Sequence, residues 1–168
     1  QAQIPSVLAR GTHPFWGTFG MGGAINAKDS TSQFKLVQEF GWHFGGTSAG
    51  PAIAWDFQES FGDNVTIFDL GPKFVWDIQV VPGLAFYLSP SFFFGFSHVS
   101  MPANWGGNGF SIQIAFEGKL IIADRGFVFF RPMGLDIMYH SLDRGGFGVG
   151  GSNTGVRYEI LFGGGVTF

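Results

Sequence analysis

Apolar and polar residues alternate with a period of two along most of this chain, most clearly at its end. From Val156 to Phe168 the even positions are Val156, Tyr158, Ile160, Phe162, Gly164, Val166 and Phe168, while Arg157, Glu159 and Thr167 are odd. Successive side chains of a strand point to opposite faces, so this segment has one greasy face and one ionic face. Four earlier segments repeat the pattern. Phe34, Leu36, Phe40, Trp42 and Phe44 oppose Gln33, Lys35, Glu39 and His43, with Gln38 a misfit on the greasy side. Phe68, Leu70, Phe74, Trp76 and Ile78 oppose Asp69, Lys73, Asp77 and Gln79. Leu84, Phe86, Leu88, Phe92, Phe94 and Phe96 oppose Ala85, Tyr87, Ser89, Ser91 and Ser97. Phe110, Ile112, Ile114, Phe116, Leu120 and Ile122 oppose Ser111, Gln113, Glu117 and Lys119. Glycine-rich Phe15–Ile25 and Thr47–Phe57, where Asp56 opposes Trp55, read as two further strands.

The remaining strand, Gly126 to His140, is irregular because Arg131 and Asp136 have opposite parity. A β-bulge near Pro132-Met133-Gly134 reconciles them, since one extra residue reverses the facing of everything beyond it. The eight strands have seven connections of alternating length. Long polar ones fall near Asn26–Ser32, Gln58–Val65, Ser97–Gly109 and Ser141–Asn153, short ones at Gly45-Gly46-Thr47, Val81-Pro82-Gly83 and Asp124-Arg125-Gly126. Short periplasmic turns alternating with longer outer loops are the pattern of outer-membrane barrels, with both termini on the short-turn side.

Charge placement decides which side faces in. Ten of the 21 charged residues lie on the ionic faces: Lys35, Glu39, Asp56, Asp69, Lys73, Asp77, Glu117, Lys119, Arg157 and Glu159. Nine others fall in expected loops, turns or the N-terminal tail, leaving only Arg131 and Asp136 ambiguous. A charge facing lipid at the bilayer midplane costs about 2–4 kcal/mol, so the ionic faces are expected to line the lumen. A soluble barrel would have the opposite polarity. The predicted fold is an all-β, eight-stranded antiparallel up-and-down transmembrane β-barrel over residues 14–168, after a periplasmic N-terminal segment at 1–13.

Composition agrees. Charged residues are only 12% of the chain, while it holds 22 Phe and 28 Gly. A water-soluble surface needs more charge than this. No run of about 20 apolar residues exists for a membrane helix, which leaves a closed barrel as the way to satisfy the backbone in lipid. The absence of cysteine removes disulfides and thiol chemistry. A start at Gln1 without Met fits export after signal-peptide removal. A net charge of −3 with no basic stripe argues against a nucleic-acid partner.

On these features, from Pro14 to Phe168, the chain resembles the small eight-stranded outer-membrane barrels, the class of the OmpA transmembrane domain and OmpX. The resemblance implies that Tyr158, Phe162, Val166 and the terminal Phe168 form a signal read by the barrel-insertion machinery. It also implies a setting in outer-membrane lipid and lipopolysaccharide, with a surface or envelope protein as a further partner.

The candidate chemistry is sparse. Six acids and four bases in a lumen of eight strands read as a plug of ion pairs rather than a pore. Same-strand and near-strand pairings are expected: Lys35 with Glu39, Lys73 with Asp69 or Asp77, Glu117 with Lys119, and Arg157 with Glu159. A lipid A-modifying hydrolase would need a nucleophile, base and acid in reach of one another. His140, Ser141 and Glu159 faintly resemble the His-x-Ser-Asn motif and downstream Glu of lipid A 3-O-deacylases, although Ser141 directly follows His140. His13, His43 and His98 have no metal-ligand spacing, and neither metal nor cofactor is expected. The glycines of 145–151 lack the Lys-Ser/Thr of a phosphate loop and read as an outer loop. Trp42 and Trp76 are expected near the periplasmic ends and Trp55 and Tyr139 near the outer ends, as interfacial girdles. Trp105 is expected in a long loop, either as an anchor for a partner or folded onto the barrel rim. These features favour a non-enzymatic structural or surface-interaction role. The hydrolase, a narrow channel, and an accessory barrel of an envelope complex are the alternatives.

Overall fold

A computed structural model describes residues 13–28, 30–46, 49–62, 64–81, 85–103, 105–122, 125–144 and 151–168, the side chains of 143, 144 and 151–153 excepted. Eight strands run in chain order: β1 (Phe15–Asn26), β2 (Ser32–His43), β3 (Gly50–Gly62), β4 (Val65–Gln79), β5 (Phe86–Met101), β6 (Trp105–Ile121), β7 (Gly126–Arg144) and β8 (Gly151–Thr167). Each pairs antiparallel with its neighbours, and β1 pairs with β8 to close the barrel. Most of the N-terminal segment, the turn at 82–84 and the glycine-rich stretch at 145–150 lie outside the described residues.

The register gives the barrel its pitch. Cross-strand partners followed from Phe15 run through Trp42, Ile53, Phe74, Phe92, Ile114, Leu135 and Tyr158, and return to β1 at Ile25. The circuit is therefore displaced by ten residues, from 15 to 25, and the strands tilt by about 40° to the axis. Every member of this circuit lies on the outer face. The parallel circuit from Trp16 passes through Gly41, Ala54, Lys73, Phe93, Gln113, Asp136 and Arg157, all in the interior.

Polarity is inverted relative to a soluble barrel. Phe40, Trp55, Phe94, Phe130 and Phe162 are at least half exposed, whereas Lys35, Asp56, Asp69, Asp136 and Glu159 are at most 1% exposed. The greasy side looks outward, as a hydrocarbon solvent requires. In β7 the register shifts between Arg131 and Gly134, and Pro132 and Met133 both face out. This is the bulge that the parity conflict called for, and it brings Arg131 and Asp136 both inside.

Two expected long loops are not loops. β3 runs to Gly62 and β4 begins at Val65, with Asn64 in the left-handed region (φ 59°) that asparagine tolerates. β5 runs to Met101 and β6 begins at Trp105, so Trp105 opens a strand rather than sitting in a loop. Backbone groups continue to pair beyond the apolar belt, where polar side chains mark contact with water and not the end of a strand. Trp55 is displaced for the same reason: β3 extends five residues past Phe57, so Trp55 is at mid-strand and not at the outer girdle. At the end with the termini the barrel is flush, tied by Phe15 N to Phe168 O (3.2 Å) and Thr167 N to Arg125 O (2.7 Å). Strand length grows from 12 residues in β1 to 19 in β7, so the opposite rim rises on the β5–β8 side.

Space inside the barrel is allocated side chain by side chain. A Cβ on inward-facing Gly41 would lie 2.0 Å from the buried Trp16 ring, whereas one on outward-facing Gly17 meets only Glu39 O, at 3.9 Å. Gly41→Ala is expected to cost about 2 kcal/mol and Gly17→Ala less than about 0.5 kcal/mol. Urea unfolding of vesicle-inserted protein, followed by tryptophan fluorescence, measures both; equal costs would refute this account of the interior.

Candidate functional site

The lumen is the most distinctive chemical feature of the molecule. Inward positions bury seven acids (Glu39, Asp56, Asp69, Asp77, Glu117, Asp136, Glu159) and five bases (Lys35, Lys73, Lys119, Arg131, Arg157). The ten charges assigned to the ionic faces are all there, joined by Arg131 and Asp136 after the bulge. A buried charge needs a partner of opposite sign and hydrogen bonds for its remaining atoms.

The partners lie on other strands, some adjacent (Arg157 with Asp136, Arg131 with Glu117) and some across the lumen, rather than along the same strand. Near the terminal end, Asp77 accepts from Lys119 Nζ (2.9 Å), His43 Nε2 (2.8 Å) and the Ser89 hydroxyl. Lys119 also lies 5.5 Å above the Trp16 ring, and Trp16 Nε1 donates to Glu39 Oε1 at 2.6 Å. Lys73 bridges Glu39 (2.6 Å) and Glu117 (3.0 Å). Arg131 forks between Glu117 and Glu159, and its Nη1 also donates to Gln113 at 3.0 Å. Lys35 binds Glu159 at 2.5 Å, and Arg157 binds Asp136 at 2.5 Å and Asp69 at 3.5 Å. None of the local pairings expected from the sequence is the principal contact. Inward side chains from all eight strands converge on one axis, so long ones meet those of other strands more closely than those two residues along their own strand.

The stack is an acid-rich network with two carboxylates in excess. Among the described residues, Asp56 and Asp69 are the two acids that keep a buried carboxylate oxygen without a hydrogen-bond partner. Apolar clusters complete the plug: Trp16, Val37, Phe129 and Leu161 packed among the ions and Ile67, Val99 and Met138 near the far rim. The far mouth is a cup of about 330 Å³ between that rim layer and Gln33, His140 and Arg157.

The candidate hydrolytic residues are not assembled. His140 faces inward, Ser141 is exposed on the opposite side, and Glu159 is committed to Lys35 and Arg131. The hydroxyl that His140 meets is that of Ser97, 2.7 Å from Nε2, on β5. Ser97 is also the cross-strand neighbour of Asp69. The carboxylate thus sits on the serine side rather than behind the imidazole, where an orienting acid is needed. His98 faces outward and pairs with Asn108 at 2.7 Å. Among the described residues no group of His, Asp and Glu could hold a metal ion. Tyr158, Phe162, Val166 and Phe168 all face outward, Phe168 lying 6.3 Å from Phe15 and 5.9 Å from Phe40. Trp105 has the inward parity of β6 and is half-buried at the far rim. One charge escaped the sequence reading: Glu59, expected in a loop, is on the outward face of β3.

Solved structures place this architecture. Neisserial surface protein A aligns with a TM-score of 0.66 at 9% identity, over 92% of this chain and 96% of that one. The N-terminal β-barrel domain of Pseudomonas aeruginosa OprF aligns at 0.54 and 14% identity, covering 91% and 97%. The outer membrane protein OprG from Pseudomonas aeruginosa aligns at 0.53 and 11% identity, covering 95% and 97%. The fold is that of the small outer-membrane barrels. No protein-family profile matches the chain, and no curated sequence does.

The ion network makes a graded prediction. Arg131→Met leaves Glu117 to Lys73 alone and Glu159 to Lys35 alone, deepens the acid excess of the lumen, and is expected to cost about 3 kcal/mol. Asp56→Asn removes a charge from the acid excess and is expected to cost under about 1 kcal/mol. Urea unfolding in vesicles reads both, and a reversed order would show that the network is not what holds the lumen together.

Proposed function

We propose that this chain is an integral outer-membrane protein, both termini in the periplasm, with a non-enzymatic structural or surface-interaction role. The observation that carries this reading is the closed ion stack: five bases, each tied to one or more of seven acids on other strands, with apolar side chains packed among them and at the far rim. A barrel filled in this way gives solutes no continuous path, which weighs against the narrow channel. What it offers its surroundings is the exterior: an apolar belt for outer-membrane lipid and lipopolysaccharide, and a raised rim on the β5–β8 side for a surface or envelope partner. The outward aromatic series ending at Phe168 suits recognition by the barrel-insertion machinery during assembly.

Purified protein in planar bilayers is expected to show no steady single-channel current; sustained unitary conductance would overturn the plugged-lumen reading. The lipid A hydrolase alternative is tested separately. Lipid A from cells with and without the protein is expected to show the same acyl pattern by mass spectrometry. Loss of one acyl chain only when the protein is present would establish enzymatic activity.

A further inference from the structure

Two polar side chains stand on the outer face where hydrocarbon is expected. Gln38 lies mid-way along β2, exposed, with lipid-facing Leu36 and Phe34 on one side and Phe40 and Trp42 on the other. No described residue hydrogen-bonds its carboxamide. Glu59 faces outward on β3, next to Leu36 in the register. In lipid an amide without a partner is strongly disfavoured, and water at that depth does not supply one.

Both residues border an open groove of about 900 Å³ on the exterior. On its β8–β1 flank the floor is formed by Gly17 and Gly164, while Trp55 and Phe57 stand on the β3 flank. Trp55 is 56% exposed, more than most large outer residues. Gly17 has no internal reason to be small. A side chain there would meet only Glu39 O at 3.9 Å, and at outward Gly23 only Gln33 O at 3.8 Å. Inward-facing Gly22, by contrast, would clash with Ile160 O at 2.0 Å. Gly164 does have such a reason, since a Cβ there would lie 3.1 Å from Phe127 O, so Gly17 is the part of the hollow that the barrel's own packing does not require.

We propose that this face is the interface of a homodimer in the membrane, centred on Gln38. Two copies in one bilayer share the same orientation, so their two-fold axis runs along the membrane normal and sets Gln38 opposite Gln38 of the second copy at equal depth. A carboxamide carries both donor and acceptor and is therefore complementary to itself. The same rotation sets the β3 flank of one barrel against the β8–β1 flank of the other. The Trp55 and Phe57 ridge then faces the glycine hollow, twice. Glu59 lies on the same flank, toward the far end of β3. A lipid chain fills a hollow equally well but leaves the amide unpaired, which is why a second copy is the better occupant.

The chain has no cysteine, so Lys28→Cys in the exposed β1–β2 turn gives a single labelling site near the proposed axis. Donor- and acceptor-labelled protein is mixed in phosphatidylcholine vesicles at decreasing protein-to-lipid ratio. Energy transfer is expected to exceed random proximity and to persist on dilution. Gln38→Leu and, independently, Gly17→Leu are expected to weaken dimerisation by about tenfold, while Gln38→Asn retains most of it. Heat-modifiable gel migration checks that each variant is folded. Transfer no greater than random proximity, or transfer unchanged by both leucine variants, overturns the proposal. Failure of the parent to insert would overturn the membrane reading as well, and the gel shift distinguishes that case from a folded, inserted monomer.

Discussion

Hydrocarbon offers no hydrogen bonds, and this constraint organises the rest of the molecule. A sheet of eight strands with a free edge would leave a row of backbone N–H and C=O groups unpaired in lipid. Pairing of β1 with β8 removes that edge, and the ten-residue displacement of the circuit fixes the tilt and the bore. Once the ring is closed, the two faces of every strand have different solvents. Even-numbered residues of β8 meet lipid and odd-numbered ones meet each other across a narrow interior.

The interior then has to solve its own problem. The bore is narrow enough for side chains to fill, so a charge placed there leaves water behind. The solution is redundancy: Arg131 serves two carboxylates and a glutamine, and Lys73 bridges Glu39 and Glu117. Each partner comes from a strand other than that of the base it meets, so the network also fixes the strands relative to one another. Such a core is specific in register because a slip by one residue would turn every ion into lipid. The same logic accounts for the bulge in β7. The strand inserts one residue at Pro132-Met133 so that Arg131 and Asp136, which between them pair with four opposite charges, both reach the axis.

The exterior shows the converse economy. Almost every outward position in the belt is apolar, so Gln38 and Glu59 stand out, as does Gly17 beside them, which the barrel's own packing does not demand. Features without an internal cause are best explained by a neighbour in the membrane. The raised rim on the β5–β8 side is on another part of the wall, so a lateral contact between barrels leaves it open to whatever lies outside.

The alternation by itself determined the strand count, the up-and-down order, the inside-out polarity, ten of the lumen charges and the position of a bulge. These follow from local parity, which survives any arrangement of the strands. What only the tertiary structure decided was where strands end, who pairs with whom, and what is hollow. Polar residues past the belt looked like loops, yet their backbones continue to pair, which moved Trp105 into a strand, Trp55 to mid-belt and Glu59 to the outer face. Lys35 found Glu159 rather than Glu39, and His140 found Ser97 rather than Ser141, because closing the sheet brings together residues far apart in the chain. Parity states which side of a strand a residue is on; only the curvature of the closed sheet states what it meets there.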